Sequence, residues 1–144
     1  MDTRFSAAIH TLILISETET PMTSDQIAVS VGTNASYIRK LTGLLKKRGI
    51  IESRQGVSGF ALKIKPEELS LFTIYQAIAE SDRVHIFDLH QNPNDACIVG
   101  KHIKSVLSDV FGEIEESVGK DLKANTLADC IEKMRIEIDR SEKE

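Results

Sequence analysis

The chain has 144 residues, 41% hydrophobic and 28% charged, with a formal net charge of −4. This is the composition of one globular domain, or one small domain with an appendage, with enough apolar content for a core. Two cysteines are too few for a disulfide scaffold, and the longest apolar run, around Leu12 to Ile15, falls far short of the roughly 20 residues needed to span a membrane as a helix.

Three prolines and long runs of helical periodicity, against one short region rich in β-formers, predict a mainly α fold with a little sheet. No basic-apolar-small signal sequence is read at the start, so the cytoplasm is the expected compartment and no membrane partner is expected. The first helix falls over 4–16, where Phe5, Ala8, Ile9, Leu12 and Ile13 recur at helical spacing and His10 lies beside the stripe. Thr23 and Gln26 then form a capping box for a short helix over 24–31. Gly32 suits a left-handed turn and Asn34 an N-cap, so two helices are joined by about three residues, the shape of a helix-turn-helix.

The next stretch, NASYIRKLTGLLKKRG, holds five cations and no acid. The whole segment 36–65 sets eight cations against Glu52 alone, a charge of +7, whereas residues 66–144 carry nine cations and seventeen acids, a charge of −8. Long cationic side chains can simply solvate an outer helix face. A segment so polarised against the rest is also the electrostatic footprint of a polyanion partner. In a recognition helix over 35–48, Ile38, Leu41 and Leu45 share the buried face. Ser36, Lys40, Gly43 and Lys47 form the opposite stripe, flanked by Tyr37 and Arg39. The N-terminal part of such a helix reaches base edges, and Lys46, Lys47 and Arg48 at its end suit phosphates.

A β-hairpin follows over 50–64, with strand residues Ile50, Ile51, Phe60, Leu62 and Ile64 and a tip from Gln55 to Gly59. A basic hairpin directly after a recognition helix is a wing, with Arg54 and Gln55 at its base. After Pro66, Ser70 caps a helix buried through Leu71, Ile74, Tyr75 and Ile78. Residues 81–96 read as an irregular linker. His85, Asp88, His90, Cys97 and His102 are metal-ligand types, but their spacing matches no compact pattern, and no metal site is assigned.

Val99, Ile103, Val106, Val110, Ile114 and Val118 then recur at three or four residues along one long amphipathic helix, widened by Leu107 and Phe111. Such a helix needs cover, either from a second copy of the chain or from its own. Thr126 and Asp129 cap a last helix with Leu127, Ile131, Met134 and Ile138 on one face, bordered by Cys130. The expected organisation is a DNA-binding domain over 1–80, a linker or sensor loop over 81–96 and a helical dimerisation region over 97–144.

The blocks RFSAAIHTL, QIAVSVGTNASYIRKLTGLLKKRGIIESRQGVSGFAL, LSLFTIYQAI and ACIVGKHIKSVLSDVF resemble the Rrf2 family of bacterial winged helix-turn-helix regulators, from Arg4 to about Cys130. The resemblance implies a homodimeric transcription factor, most often a repressor, whose long helix crosses to the partner. It implies DNA contacts at Arg4, at Ser36, Tyr37, Arg39 and Lys40, and from Arg54 through Gln55 to Ser58. Several members carry an acid where Arg39 stands, which bears on the base sequence read. Members with an iron–sulfur cluster carry three closely spaced cysteines before the long helix, whereas here Cys97 stands alone. The resemblance is therefore to the cluster-free branch, with no cofactor and an unknown small-molecule or redox effector.

For Cys97 itself two readings stand: a thiol sensor, activated by Lys101, His102 or a helix N-terminus, and a packed side chain beside Ile98 and Val99. For the whole chain the leading expectation is a dimer on a two-fold-symmetric operator of double-stranded DNA. The alternative is a winged-helix module that binds protein and not DNA. No nucleophile–base set, phosphate loop or metal spacing marks an enzyme.

Overall fold

The computed structural model describes residues 3–54 and 58–143. In chain order its elements are α1 (Arg4–Glu17), α2 (Ser24–Val31), α3 (Ala35–Lys47), β1 (Ile51–Ser53), β2 (Phe60–Leu62), α4 (Leu71–Ala79), α5 (Ile98–Ala124) and α6 (Leu127–Glu142), with a 3-10 turn at Pro66–Glu68 before α4. The fold is mainly α with one antiparallel hairpin, as expected.

Local signals set most boundaries. Thr23 and Gln26 close the capping box of α2, with Gln26 N–H donating to the threonine hydroxyl at 3.2 Å and Thr23 N–H to the glutamine side chain at 2.9 Å. Gly32 ends that helix at φ 86°, a left-handed conformation open to glycine at little cost. Asn34 caps α3 by accepting from Tyr37 N–H at 2.9 Å. Ser70 caps α4 through Thr73 N–H, and Thr126 with Asp129 forms a second capping box.

One core unites the first and last parts of the chain. Ala8 and Leu12 of α1, Leu41 and Leu45 of α3, Ile50, Ile51, Leu69, Ile74 and Ile78 are buried together with Leu127 and Ile131 of α6. A smaller cluster of Ile27, Ala28 and Ile38 locks α2 against α3. Buried Thr11 and Thr42 donate to the carbonyls of Ala7 and Arg39, so neither hydroxyl is left unpaired.

Several expectations are corrected in detail. The strands of the wing have three residues each, in register Ile51↔Leu62, Glu52↔Ala61 and Ser53↔Phe60. Ile50 and Ile64 lie outside them. Ile50 is instead a fully buried residue after the α3 end, and its carbonyl still accepts from Lys63 N–H at 2.9 Å. α3 stops at Lys47, with Arg48 as its C-cap and Gly49 turning the chain at φ 73°. Phe5, Ile9 and Ile13 are only partly buried, since Ala7 and Thr11 take the inner positions of α1. On α6, Met134 and Ile138 remain exposed because only the first turns reach the core.

Those turns are held by backbone as well as packing. Leu127 N–H donates to Leu69 carbonyl at 2.8 Å, and Leu71 N–H to Asn125 carbonyl at 2.9 Å. Arg135 grips Glu17 of α1 through both carboxylate oxygens, at 2.7 and 3.0 Å. Thus α6 returns to the same core as α1, α3 and α4, although the sequence groups it with α5.

Candidate nucleic-acid interface

The hydrophobic face of α3 is pinned by Ile38, Leu41 and Leu45, which are fully buried. The opposite stripe is therefore outward: Ser36, Arg39, Lys40, Gly43, Lys46, Lys47 and Arg48 are exposed. Tyr37 is half-buried and packs against both core clusters, so its ring serves the α2–α3 junction as well as the surface.

The outward cations divide by their surroundings. Among the described residues, Arg39, Lys40 and Arg54 face no acid within ion-pair distance, whereas Lys47 and Arg48 lie 3.6 and 3.5 Å from Glu80 and Asp82. Lys46 stands over the ring of Phe60 in β2, 5.1 Å from its centre, which ties the end of α3 to the wing.

A groove runs between α2, α3 and the wing. Ser24 and Asp25 open it on one side, Arg39, Gly43 and Lys46 form its floor, and Ser58 stands on the far side. Gly59 enters this turn at φ 120°, and a Cβ there would collide with Pro21, so the wing is seated directly on the α1–α2 connection. Arg39 and Ser58 thus share one groove. Arg54 lines a separate groove with Thr18, Glu19 and Pro21, and its N–H donates to the Gly59 carbonyl at 3.2 Å. Arg4 is the first residue of α1 and half-buried, on neither α3 nor the wing. Gln55 lies outside the described residues.

The linker lacks periodicity, and its contacts leave no signal in the sequence. The Glu115 carboxylate of α5 accepts from Ile86 N–H at 2.6 Å and Phe87 N–H at 3.1 Å. These donors, with His85 nearby, hold its pKa below the usual carboxylate value despite desolvation. The Phe87 ring packs on Phe111, centroids 4.7 Å apart, and Lys104 donates to the Gln91 carbonyl at 2.6 Å. Tyr75 hydroxyl bonds both the N–H and the carbonyl of His85.

His85 meets Asp88 at 2.8 Å through Nε2, and Glu115 at 3.8 Å through Nδ1. The hydrogen bond to Asp88 raises the His85 pKa above its ordinary value. The two acids engage opposite ring nitrogens and do not converge on one point. Among the described residues no three ligand-type side chains gather as a metal ion requires.

Cys97 is exposed at the N-cap of α5. The backbone N–H groups of Gly100 and Val99 face its sulfur without closing a cap hydrogen bond, and they lower the thiol pKa. That pull comes from the helix terminus and not from the Lys101 or His102 charges. Burial and Asp129 instead raise the pKa of half-buried Cys130.

Along α5, Val99, Val106, Val110 and Ile114 are 65%, 52%, 45% and 44% exposed, while Ile103 is half-buried. Inside the chain the helix is buried only at Gly119, which lies against Phe72 and Val84. No described helix is long and apolar enough to cross a membrane.

Comparison with known proteins adds a family to this geometry. The model of the Rrf2 family, described as an iron-dependent transcriptional regulator, matches residues 1–133. The chain is 37% identical over 131 residues to YwnA of Bacillus subtilis (strain 168), whose name provisionally makes it an HTH-type transcriptional regulator, covering 91% of this chain and 96% of that one. A crystal structure described, again provisionally, as a DNA binding protein superposes with a TM-score of 0.73 at 36% identity, covering 89% of this chain and 98% of the other. IscR of T. potens shares the fold at 20% identity, with a TM-score of 0.68 over 93% and 87% of the two chains. The residues here do not fit a cluster held by three thiolates, because the chain has two cysteines, one at the start of α5 and one on α6.

Proposed function

The chain belongs to the Rrf2 family of transcriptional regulators, and from that membership we propose that it is a homodimeric repressor acting on a two-fold-symmetric operator. It is a regulator and not an enzyme, and the family implies DNA as its partner. The observation that carries the reading is the outward face of α3, where Ser36, Arg39 and Lys40 are exposed near a wing and, among the described residues, neither cation meets an acid within ion-pair distance.

In this reading Ser36 and Tyr37 stand at the end of α3 that approaches base edges, and Arg39 reads or positions. Lys40, Arg4 and Arg54 bind phosphates, Lys47 joins them when it leaves Glu80, and Gln55 and Ser58 carry the wing to the backbone or minor groove. The exposed valines of α5 with Ile103 and Ile114 form the dimer seam, because an apolar stripe so long is covered at least cost by its own copy. Repression is the commonest effect in the family this sequence resembles. The protein carries no three-cysteine cluster, acts in the cytoplasm, and answers to a small molecule or to oxidation at Cys97.

Footprinting on the DNA upstream of its own gene tests this. Two protected half-sites about 34 Å apart, or a multiple of it, are expected. Light scattering should give twice the 16.0 kDa chain mass. A monomer, or an absent or single unsymmetric footprint, contradicts it.

A further inference from the structure

The end of α3 is occupied from within the chain. Lys47 Nζ lies 3.6 Å from Glu80 Oε1, and the Arg48 guanidinium 3.5 Å from Asp82 Oδ1. Both acids stand where α4 gives way to the linker, and Glu80 itself takes a left-handed conformation at φ 52°, uncommon for any residue but glycine. That bend turns the chain back toward α3.

Exposed ion pairs are ordinarily weak, since two long side chains must be ordered to make them. Here the acids sit on a segment already tied down. Just beyond them His85 is bonded at both its N–H and its carbonyl by Tyr75 of α4, and Ile86 and Phe87 are bonded by Glu115 of α5. Part of the ordering cost is thus met by the anchors and not by the pairs.

Phosphate oxygens and carboxylate oxygens make the same demand on a lysine or arginine, so a carboxylate in place competes directly with DNA. We propose that Glu80 and Asp82 set the DNA affinity of this protein by holding Lys47 and Arg48 in place of phosphate. The inference rests on the reading of α3 as the DNA-binding helix. It gives the five cations of residues 34–49 different standing: Arg39 and Lys40 are available, Lys46 is on Phe60, and Lys47 and Arg48 are withheld.

Fluorescence anisotropy with a labelled fragment of the protein's own upstream DNA tests it on the full chain. The Glu80→Gln, Asp82→Asn double variant should bind about tenfold tighter, a little under twofold for each of the dimer's four pairs. The slope of log affinity against log salt should steepen by about one for each cation released. An equal change of charge on the exposed face of α6, Glu132→Gln with Asp139→Asn, should alter affinity by less than about twofold. In a Lys47→Met, Arg48→Met background the gain should vanish. A gain that is absent, is matched by the α6 variant, or persists without the two cations overturns the proposal. Wild-type protein that fails to bind DNA overturns the DNA-binding reading as well, whereas normal wild-type binding with unaltered variants overturns this inference alone.

Discussion

The Lys46 ammonium rests over the Phe60 ring at 5.1 Å, so the last turn of α3 and the second strand of the wing are joined by a cation–π contact. Phe60 also packs partly against both core clusters. The contact therefore adds to the core packing that joins the wing to α3. Replacing the ring by an apolar side chain, Phe60→Leu, should cost about 1 kcal/mol of stability, and Lys46→Met a similar amount or less. Each should weaken DNA binding several-fold through the displaced wing. In a double-mutant cycle the two losses should not add. Denaturant melts and anisotropy on the three variants read both effects.

Glu115 is 29 residues from Ile86, yet it satisfies two linker N–H groups with one carboxylate. Glu115→Ala removes both bonds, leaves the part-buried Ile86 N–H without its acceptor and the exposed Phe87 N–H to water, and should destabilise the protein by about 1 kcal/mol. Its depressed pKa means that the stabilisation is present above the ordinary carboxylate pKa and is lost as pH falls through the lower folded value. Urea melts from neutral to acid pH should show the wild type converging on the variant at the acid end.

His85 behaves in the opposite sense. Its pKa is raised chiefly by the hydrogen bond to Asp88, so that pairing contributes fully below the ordinary histidine value and is lost as pH rises through the higher folded one. A proton NMR titration should place the His85 midpoint above 6.5, the ordinary value, and Asp88→Asn should lower it. An unchanged midpoint in that variant would show that Asp88 is not the cause.

The two thiols should differ in reactivity. Cys97 is exposed with a lowered pKa, while Cys130 is half-buried with a raised one. At neutral pH iodoacetamide should modify Cys97 first, with Cys130 following only slowly. Mass spectrometry of peptides over time distinguishes them, and equal rates would contradict the structural assignment.

What could be read in the sequence was what has a local cause. Thr23 with Gln26, Asn34, Ser70 and Thr126 with Asp129 announce helix starts within four residues, and all four cap the helices that follow them. The stripe of Ile38, Leu41 and Leu45 likewise places Ser36 and Lys40 outward. Contacts between distant residues leave no such trace. Neither the grip of Arg135 on Glu17, 118 residues apart, nor the seating of Leu127 beside Leu69 follows from any period, and the sequence pattern alone groups α6 with α5. The same reason hid the pairing of Lys47 and Arg48. Their charge is legible, but the acids that hold them, Glu80 at the C-cap of α4 and Asp82 just inside the linker, are 33 and 34 residues away and share no period with α3.

The salt dependence of binding to the protein's own upstream DNA tests the central claim most directly. With Arg4, Arg39, Lys40 and Arg54 of each protomer on DNA, log affinity should fall against log salt with a slope of about −7. Arg39→Ala with Lys40→Ala should flatten that slope. A wild-type slope near zero would contradict the assignment of α3 and the wing as a DNA-binding surface.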